Sequence, residues 1–333
     1  MAHGNGRVCR RNGPISSVVK DDIAGLARFP RQPEIAKPMD VFLILVHKLA
    51  DLLTSQLPWA IGLAALFTVV SLFPSQACNP GQVWWKNPGL LTDTHYLFII
   101  PVLMPYLRTA LVVLVVALAS GVTSAADVED FLTKGRGPLS TLHPVAQGAI
   151  YMLGTDFMLY WAHRIFHGRN LWPFHAVHHS AEHVDWTTSY RNHPVNNLLG
   201  ASLTQMTMVA LGISPEVMVA LVPFDILTAA WVHSNLNWTL GPLKYVFATP
   251  VFHRWHHGPV HLGGEKNFAP TFSFWDYMFG TFYMPEGELP EEYGVDDPDF
   301  PKDFIGQMVV PFRQFIQTFQ RPKPKADSPG PAE

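Results

Sequence analysis

The chain has little cysteine and little charge. Cys9 and Cys78 are the only cysteines in 333 residues, too few for a disulfide framework or a thiolate metal site. Charged residues make up 15% and apolar types 48%, and the mean hydropathy is positive. That balance argues for a membrane protein over one large or two small soluble domains. A formal net charge of −3 leaves no basic field over the molecule, so nucleic acid is not an expected partner. No glycine-rich dinucleotide fingerprint is present, which excludes a nicotinamide or flavin site of the Rossmann kind. The first thirty residues lack an apolar core, so they are not read as a signal peptide.

Histidine is what the chain has instead. It carries sixteen, twelve of them between residues 163 and 261. His163-Arg-Ile-Phe-His167 has the i, i+4 spacing that puts two imidazoles on one helix face, where they can bind one metal ion. His175-Ala-Val-His178-His179 supplies i, i+3 and i+4. His175 and His179 therefore share a face, while His178 lies about 100° round from His179, so the turn can serve two metals. The pattern returns at His253-Arg-Trp-His256-His257. A lone HxxxH is as often a core pair as a ligand pair, but three such motifs in a charge-poor chain read as metal chemistry. His233, at the end of an apolar run between the two HxxHH motifs, is the ninth candidate. Imidazole without thiolate suits Fe, Zn, Cu or Ni. A single structural zinc needs four ligands, so nine candidates argue for two ions.

In chain order, residues 1–39 are polar, carry seven Lys or Arg, and are placed in the cytoplasm by the positive-inside tendency. Residues 40–144 are read as N-terminal membrane helices and connectors: an interfacial stretch at 41–53, a spanning candidate at 57–73, and an interfacial loop with Trp84 and Trp85. The apolar run 96–122, interrupted by Pro101, Pro105 and Arg108, reads as one kinked span or two short ones. Residues 145–285 hold the nine candidate histidines and are read as the catalytic domain. There an apolar helix at 145–162 delivers His163 and His167, with Asp156 two turns earlier as a candidate outer carboxylate. Two apolar runs within 198–232, split by Gly212-Ile-Ser-Pro215, read as a transmembrane hairpin that enters and returns. Histidines before and after it then lie on one side. The aromatic segment 272–283 reads as core or interfacial belt. Residues 286–333 are an acidic linker, an amphipathic helix with Phe304, Met308, Phe312, Phe315 and Phe319 at helical spacing, and a Pro- and Lys-rich tail.

The histidine motifs, together with Arg191-Asn-His193-Pro, His233-Ser-Asn, Asn267-Phe268 and Trp275-Asp276 followed by Phe279-Gly-Thr281, resemble the fatty acid hydroxylase/sterol desaturase superfamily, its bacterial members in particular. The resemblance implies an all-α integral membrane protein whose transmembrane helical stem, of four-helix type, carries a cytosolic histidine-rich diiron cap. It implies two Fe ions with O2 as co-substrate, and as ligands His163, His167, His175, His178, His179, His233, His253, His256 and His257. Two positions depart from the pattern. Asn237 stands where some members have a further histidine, and Ala269 stands where a Gly often follows the Asn-aromatic pair. His193 is held as a candidate partner of the ligands, and His183 and His261 are not counted among them.

The function so implied is hydroxylation of a C–H bond of a membrane lipid: a fatty acyl chain, sterol, carotenoid or aminolipid. With no dinucleotide or haem domain visible, electrons come from an external ferredoxin, cytochrome or reductase. The expected location is the bacterial inner membrane with the metal site facing the cytoplasm. Desaturation at the same diiron site is the alternative within the class. Outside it, a metal transporter needs ligands or carboxylates in mid-span, where Asp225 is the one candidate. A di-haem cytochrome needs paired histidines on facing helices inside the bilayer.

Overall fold

A computed structural model describes residue 54 and residues 57–120, 137–260 and 264–320. The N-terminal segment 1–39, the 41–53 stretch, residues 127–136 of the connector, His261 and the tail from Arg321 lie outside the described residues. Every regular element among the described residues is helical.

Helix α1, Leu57–Ser71, is apolar on nearly every side and stops before Pro74. Its 15 residues extend about 22 Å, short of the roughly 30 Å of a bilayer core, so this helix alone does not make the 57–73 run a span. In the following loop Trp84 donates its indole N–H to Thr68 Oγ1 at 2.8 Å and packs on Trp186 at 5.3 Å. Only Trp85 of the aromatic pair is exposed.

Helix α2, Leu90–Ser120, is a single 31-residue helix of about 46 Å; its two prolines do not divide it. Tyr96, Ile100 and Met104 recur every four residues and bury one face against Ala176, Val177 and Phe300. Leu91, Ile99 and Leu103 face outward. Helix α3, Pro144–Phe166, starts with His143 Nδ1 accepting the Val145 N–H and with proline in its first turn. Helix α4, Trp172–His179, follows after a short turn at Gly168.

The next segment is helical in three pieces: a turn at Pro194–Asn197, a π-helical turn at Leu198–Ser202, and α5, Leu203–Leu211. Gly212 then takes φ +94°, a left-handed conformation that glycine adopts without strain. Ser214 caps α6, Pro215–His233, by accepting the Val217 N–H, and Gln147 Oε1 on α3 accepts the Ser214 N–H at 2.8 Å. The chain thus reverses on itself beside α3. Leu90–Arg108 within α2, and the whole of α6, are long and apolar enough to cross a membrane.

Helix α7, Pro250–His257, is capped by Thr249 and followed by the short α8, Phe274–Met278. Helix α9, Phe304–Gln320, lays Phe304 on Tyr96 and Phe312 and Phe315 on Phe174, while Ile305, Val309, Ile316 and Phe319 remain exposed. Because α3 and α6 end at His163 to His167 and at His233, their C-terminal ends meet the short helices α4 and α7 at one place.

Candidate metal centre

The nine candidate histidines gather there in two sets. His163, His167, His175, His179 and His256 form one, and His178, His233, His253 and His257 the other; within each set the ligand atoms all lie within 4.8 Å of one another. The split follows from helix geometry. In α4 the i, i+4 pair His175 and His179 faces the first set, and His178, rotated away from them, faces the second. In α7 the assignment is mirrored, with His253 and His257 in the second set and His256 in the first.

The outer ring nitrogens fix the tautomers. His163 Nδ1 meets the Phe268 carbonyl at 2.6 Å, His178 Nδ1 the Arg191 carbonyl at 3.1 Å, His233 Nδ1 the Ala229 carbonyl at 2.7 Å, and His256 Nδ1 the Lys266 carbonyl at 2.7 Å. A carbonyl oxygen only accepts, so each Nδ1 carries the proton and each Nε2 presents a lone pair. Asn196 Oδ1 holds His175 Nδ1 in the same way at 3.1 Å. The Nδ1 atoms of His253 and His257 have no such partner.

Those lone pairs then point at each other. His163 and His175 bring their Nε2 atoms to 2.8 Å, and His178 and His233 bring theirs to 3.2 Å. With both protons on the far side, no hydrogen bond joins either pair, and the contact is repulsive unless a cation draws the lone pairs together. The Nε2 atoms of His167 and His256 are buried without any hydrogen-bond partner. Burial lowers the pKa of His163 to about 4 and holds His175, His178, His179, His253, His256 and His257 well below 6.5, reinforced by their imidazole neighbours. The rings are therefore neutral, the form that binds metal. Five and four nitrogen donors fit two divalent ions of the borderline class.

Two loops hold this arrangement. Asn267, at φ +60°, donates Nδ2 to the Phe252 and Tyr283 carbonyls at 2.7 and 2.6 Å and accepts the Tyr283 N–H at 2.7 Å. Asp276 accepts the N–H groups of Phe268 and Ala269 at 2.7 and 2.8 Å and the Thr281 hydroxyl at 2.7 Å. Together they set the Lys266 and Phe268 carbonyls that orient His256 and His163. Ala269 keeps the turn with its φ outside the left-handed region, so the departure from Gly costs nothing there. In the second loop, Arg191 forms a fully buried ion pair with Asp93 of α2 at 2.6 Å. Arg254, between two ligands of α7, is buried against Asn79 Oδ1 at 2.7 Å and the Val184 carbonyl at 2.5 Å.

Other candidates lie apart. His193 Nδ1 caps the 194–197 turn by accepting the Val195 N–H, and its ring packs between Phe174 and Phe312. It touches no candidate ligand. Asn237 is exposed and lines a separate cleft with Met284 and Glu288, away from both sets. His183 belongs to neither set. Asp156 accepts the Phe272 N–H at 3.0 Å rather than orienting a ligand, and burial raises its carboxyl to about 7. Asn196 and Arg254 escaped the sequence reading. The one signal for Asn196 is its place two residues beyond the Arg191-Asn-His193-Pro motif.

A cavity of about 440 Å³ opens beside the centre and is bordered by His163, His175 and His178 and by His233 and His253, so it reaches both sets. Its size is that of a small-molecule site.

Residues 148–281, which contain all nine histidines, match the family described as fatty acid hydroxylase. The chain is 32% identical over 158 residues to ornithine lipid hydroxylase OlsE of Rhizobium tropici, covering 47% of each protein. It is 37% identical over 147 residues to alkylglycerol monooxygenase of Homo sapiens, covering 44% of this chain and 32% of that one. Methylsterol monooxygenase 1-1 of Arabidopsis thaliana is 29% identical over 156 residues, 43% of this chain and 49% of the relative. The chain thus spans half or less of the length of these curated relatives. No solved structure matches it.

Proposed function

We propose that the protein is an O2-dependent diiron membrane oxygenase that hydroxylates a C–H bond of a lipid, with electrons from an external donor. The observation that carries this reading is the division of nine neutral imidazoles, seven of them buried and His163 and His167 half-buried, into sets of five and four beside one cavity. His163, His167, His175, His179 and His256 would hold one iron, and His178, His233, His253 and His257 the other. Iron bound there would supply the reductive activation of O2 that an unactivated C–H bond requires. The chain's own residues bind and orient. Backbone carbonyls and Asn196 fix the rings, and Leu159, Phe166 and Val232 give the cavity apolar walls that exclude water from the reacting carbon.

The names of the relatives, a lipid hydroxylase and two monooxygenases, favour hydroxylation over desaturation. The two apolar helices α2 and α6 support a membrane stem; the side of the centre is taken as cytoplasmic from the basic excess of residues 1–39 alone. The gathering of ligands at helix ends argues against a transport path through mid-span.

The test is iron per chain in protein purified from iron-supplied cells, with His179→Ala beside it. About two irons are expected, falling clearly in the variant, and lipid extracts from expressing cells grown under labelled O2 should contain a product one labelled oxygen heavier. Protein that binds no iron, with metal content unchanged by the substitution, would end the oxygenase reading.

A further inference from the structure

The cavity beside the histidines is mainly apolar, but two carboxylates lie on its walls. Asp156 comes from α3, seven residues before His163, and Asp225 from α6, eight residues before His233. Both helices end at the centre, so the carboxylates stand about 10 and 12 Å from those ligands along the helix axes, at similar depths on two different walls.

Neither carboxylate is neutralised by the chain. Asp156 is buried; one oxygen accepts the Phe272 N–H, while the other, Oδ1, has no hydrogen-bond partner. Thr271 and the Trp275 indole N–H lie near this carboxyl and partly offset its burial, but neither closes a hydrogen bond to Oδ1. The Asp225 side chain makes no hydrogen bond or ion pair among the described residues; only its backbone carbonyl is engaged, by Thr228. No lysine or arginine is among the described residues lining the cavity. Arg108 on α2 donates to Gln205 Oε1 at 3.3 Å and pairs with neither acid.

An ionisable side chain inside an apolar helix is costly, and it persists where it faces a cavity and meets a partner. Asp225 is exposed on the cavity wall and Asp156 keeps one oxygen unpaired, so a cationic ligand can supply that partner. We infer that the cavity takes an amphiphile bearing a protonated amine, which Asp225 and Asp156 hold while the apolar chain lies along Leu159, Phe166, Phe224 and Val232 toward the histidines. The two carboxylates also act by repulsion: a lipid presenting phosphate or carboxylate at that depth is disfavoured by the groups that attract the amine. The inference rests on the oxygenase reading for the nature of the reaction and adds to it the class of substrate.

Binding, read without turnover, tests it. Iron-loaded full-length protein in a neutral detergent is titrated with N-dodecanoyl-1,4-diaminobutane, a single-chain cation, and with its N-acetylated, uncharged form. The amine is expected to bind at least roughly tenfold more tightly, the scale of one charge-assisted hydrogen bond. Asp225→Asn, which breaks no side-chain bond of the fold, should remove most of that preference, leaving iron content and affinity for the uncharged form within about twofold. Asp156→Asn serves as the second variant. Equal binding of the two amphiphiles, or a preference that survives both substitutions, overturns the inference. So does free 1,4-diaminobutane competing as well as its acylated form, which would make the occupant a soluble polyamine. A retained amine preference in a protein that fails to oxygenate lipids would count against the oxygenase reading alone.

Discussion

At His163 the burial that makes a good ligand also sets a pH limit. Its pKa in the folded chain, about 4, lies below the 6.5 of an exposed imidazole, and seven further histidines of the centre outside the apolar helices, His167 among them, are shifted in the same direction. Below pH 6.5 the unfolded chain takes up protons that the folded centre refuses, so stability is full above that value and falls as the pH drops toward 4. The slope is about 1.4 kcal/mol per pH unit for each histidine titrating in that window. The melting temperature of metal-stripped protein should therefore fall steadily from pH 7 to pH 5, and bound metal should be released over the same range. A flat profile would mean that the rings are open to water. Eight of the nine candidates stood out in the sequence because i, i+3 and i+4 spacing is a local property, and His233 because it ends an apolar run between two such motifs. Their orienting partners were not: the Phe268, Arg191, Ala229 and Lys266 groups involved are backbone carbonyls, which any residue carries. Asp156 shows the converse failure, since helical phase put it toward the histidines while the Phe272 N–H claimed its carboxylate.

At the scale of elements, the loop between α4 and the 194–197 turn works as a strap. Arg191 ties it to α2 through Asp93, whose other oxygen accepts the Thr187 hydroxyl at 2.8 Å. Asp185 joins the same network through Thr187 and Asn87. The Arg191 carbonyl then orients His178, so an ion pair remote from the cavity sets the direction of a candidate ligand. Removing the guanidinium alone strands a buried carboxylate, which costs about 3–5 kcal/mol. Arg191→Ala should accordingly lower the melting temperature and reduce iron per chain. The double variant Arg191→Met with Asp93→Asn should recover much of the stability, because no bare charge is then left inside. An Arg191→Ala protein that melts like the parent would show that the pair is not holding the loop. These partners are 98 residues apart. Hydrophobic periodicity reports which face of a helix is buried and not which distant loop it meets, so α2 was legible as apolar while its role in positioning the centre was not. The division of the 57–120 region also needed coordinates: proline positions left one helix or two open for α2, and the chain keeps it whole.

At the scale of the whole molecule, two openings reach the centre among the described residues. One is the apolar cavity at His163, His175, His178, His233 and His253. The other is a cleft of about 840 Å³ that reaches His167 and Trp172 and is lined by Glu265, Asp296, Asp297 and Asp299. Trp172 packs against His167 and His179 at 5.1 and 5.2 Å, which gives this side an aromatic contact with the five-histidine set. A lipid entering by the first opening leaves the second free, and its exposed carboxylates form a surface complementary to a basic protein. If the proposed oxygenase reading holds, its electron donor is expected to dock there, where four carboxylates outnumber Arg169, and to be positively charged at its contact face. Rim charges act mainly on the rate of encounter and on its sensitivity to salt. Combining Asp296→Asn, Asp297→Asn and Asp299→Asn should raise the donor concentration needed for half-maximal turnover severalfold and flatten the decline of turnover with ionic strength. Single-turnover oxidation of chemically reduced protein should stay unchanged, because no candidate ligand is altered. If the triple variant accepts electrons from its donor as well as the parent at low salt, the donor approaches from another side, and the acidic cleft has no part in reduction.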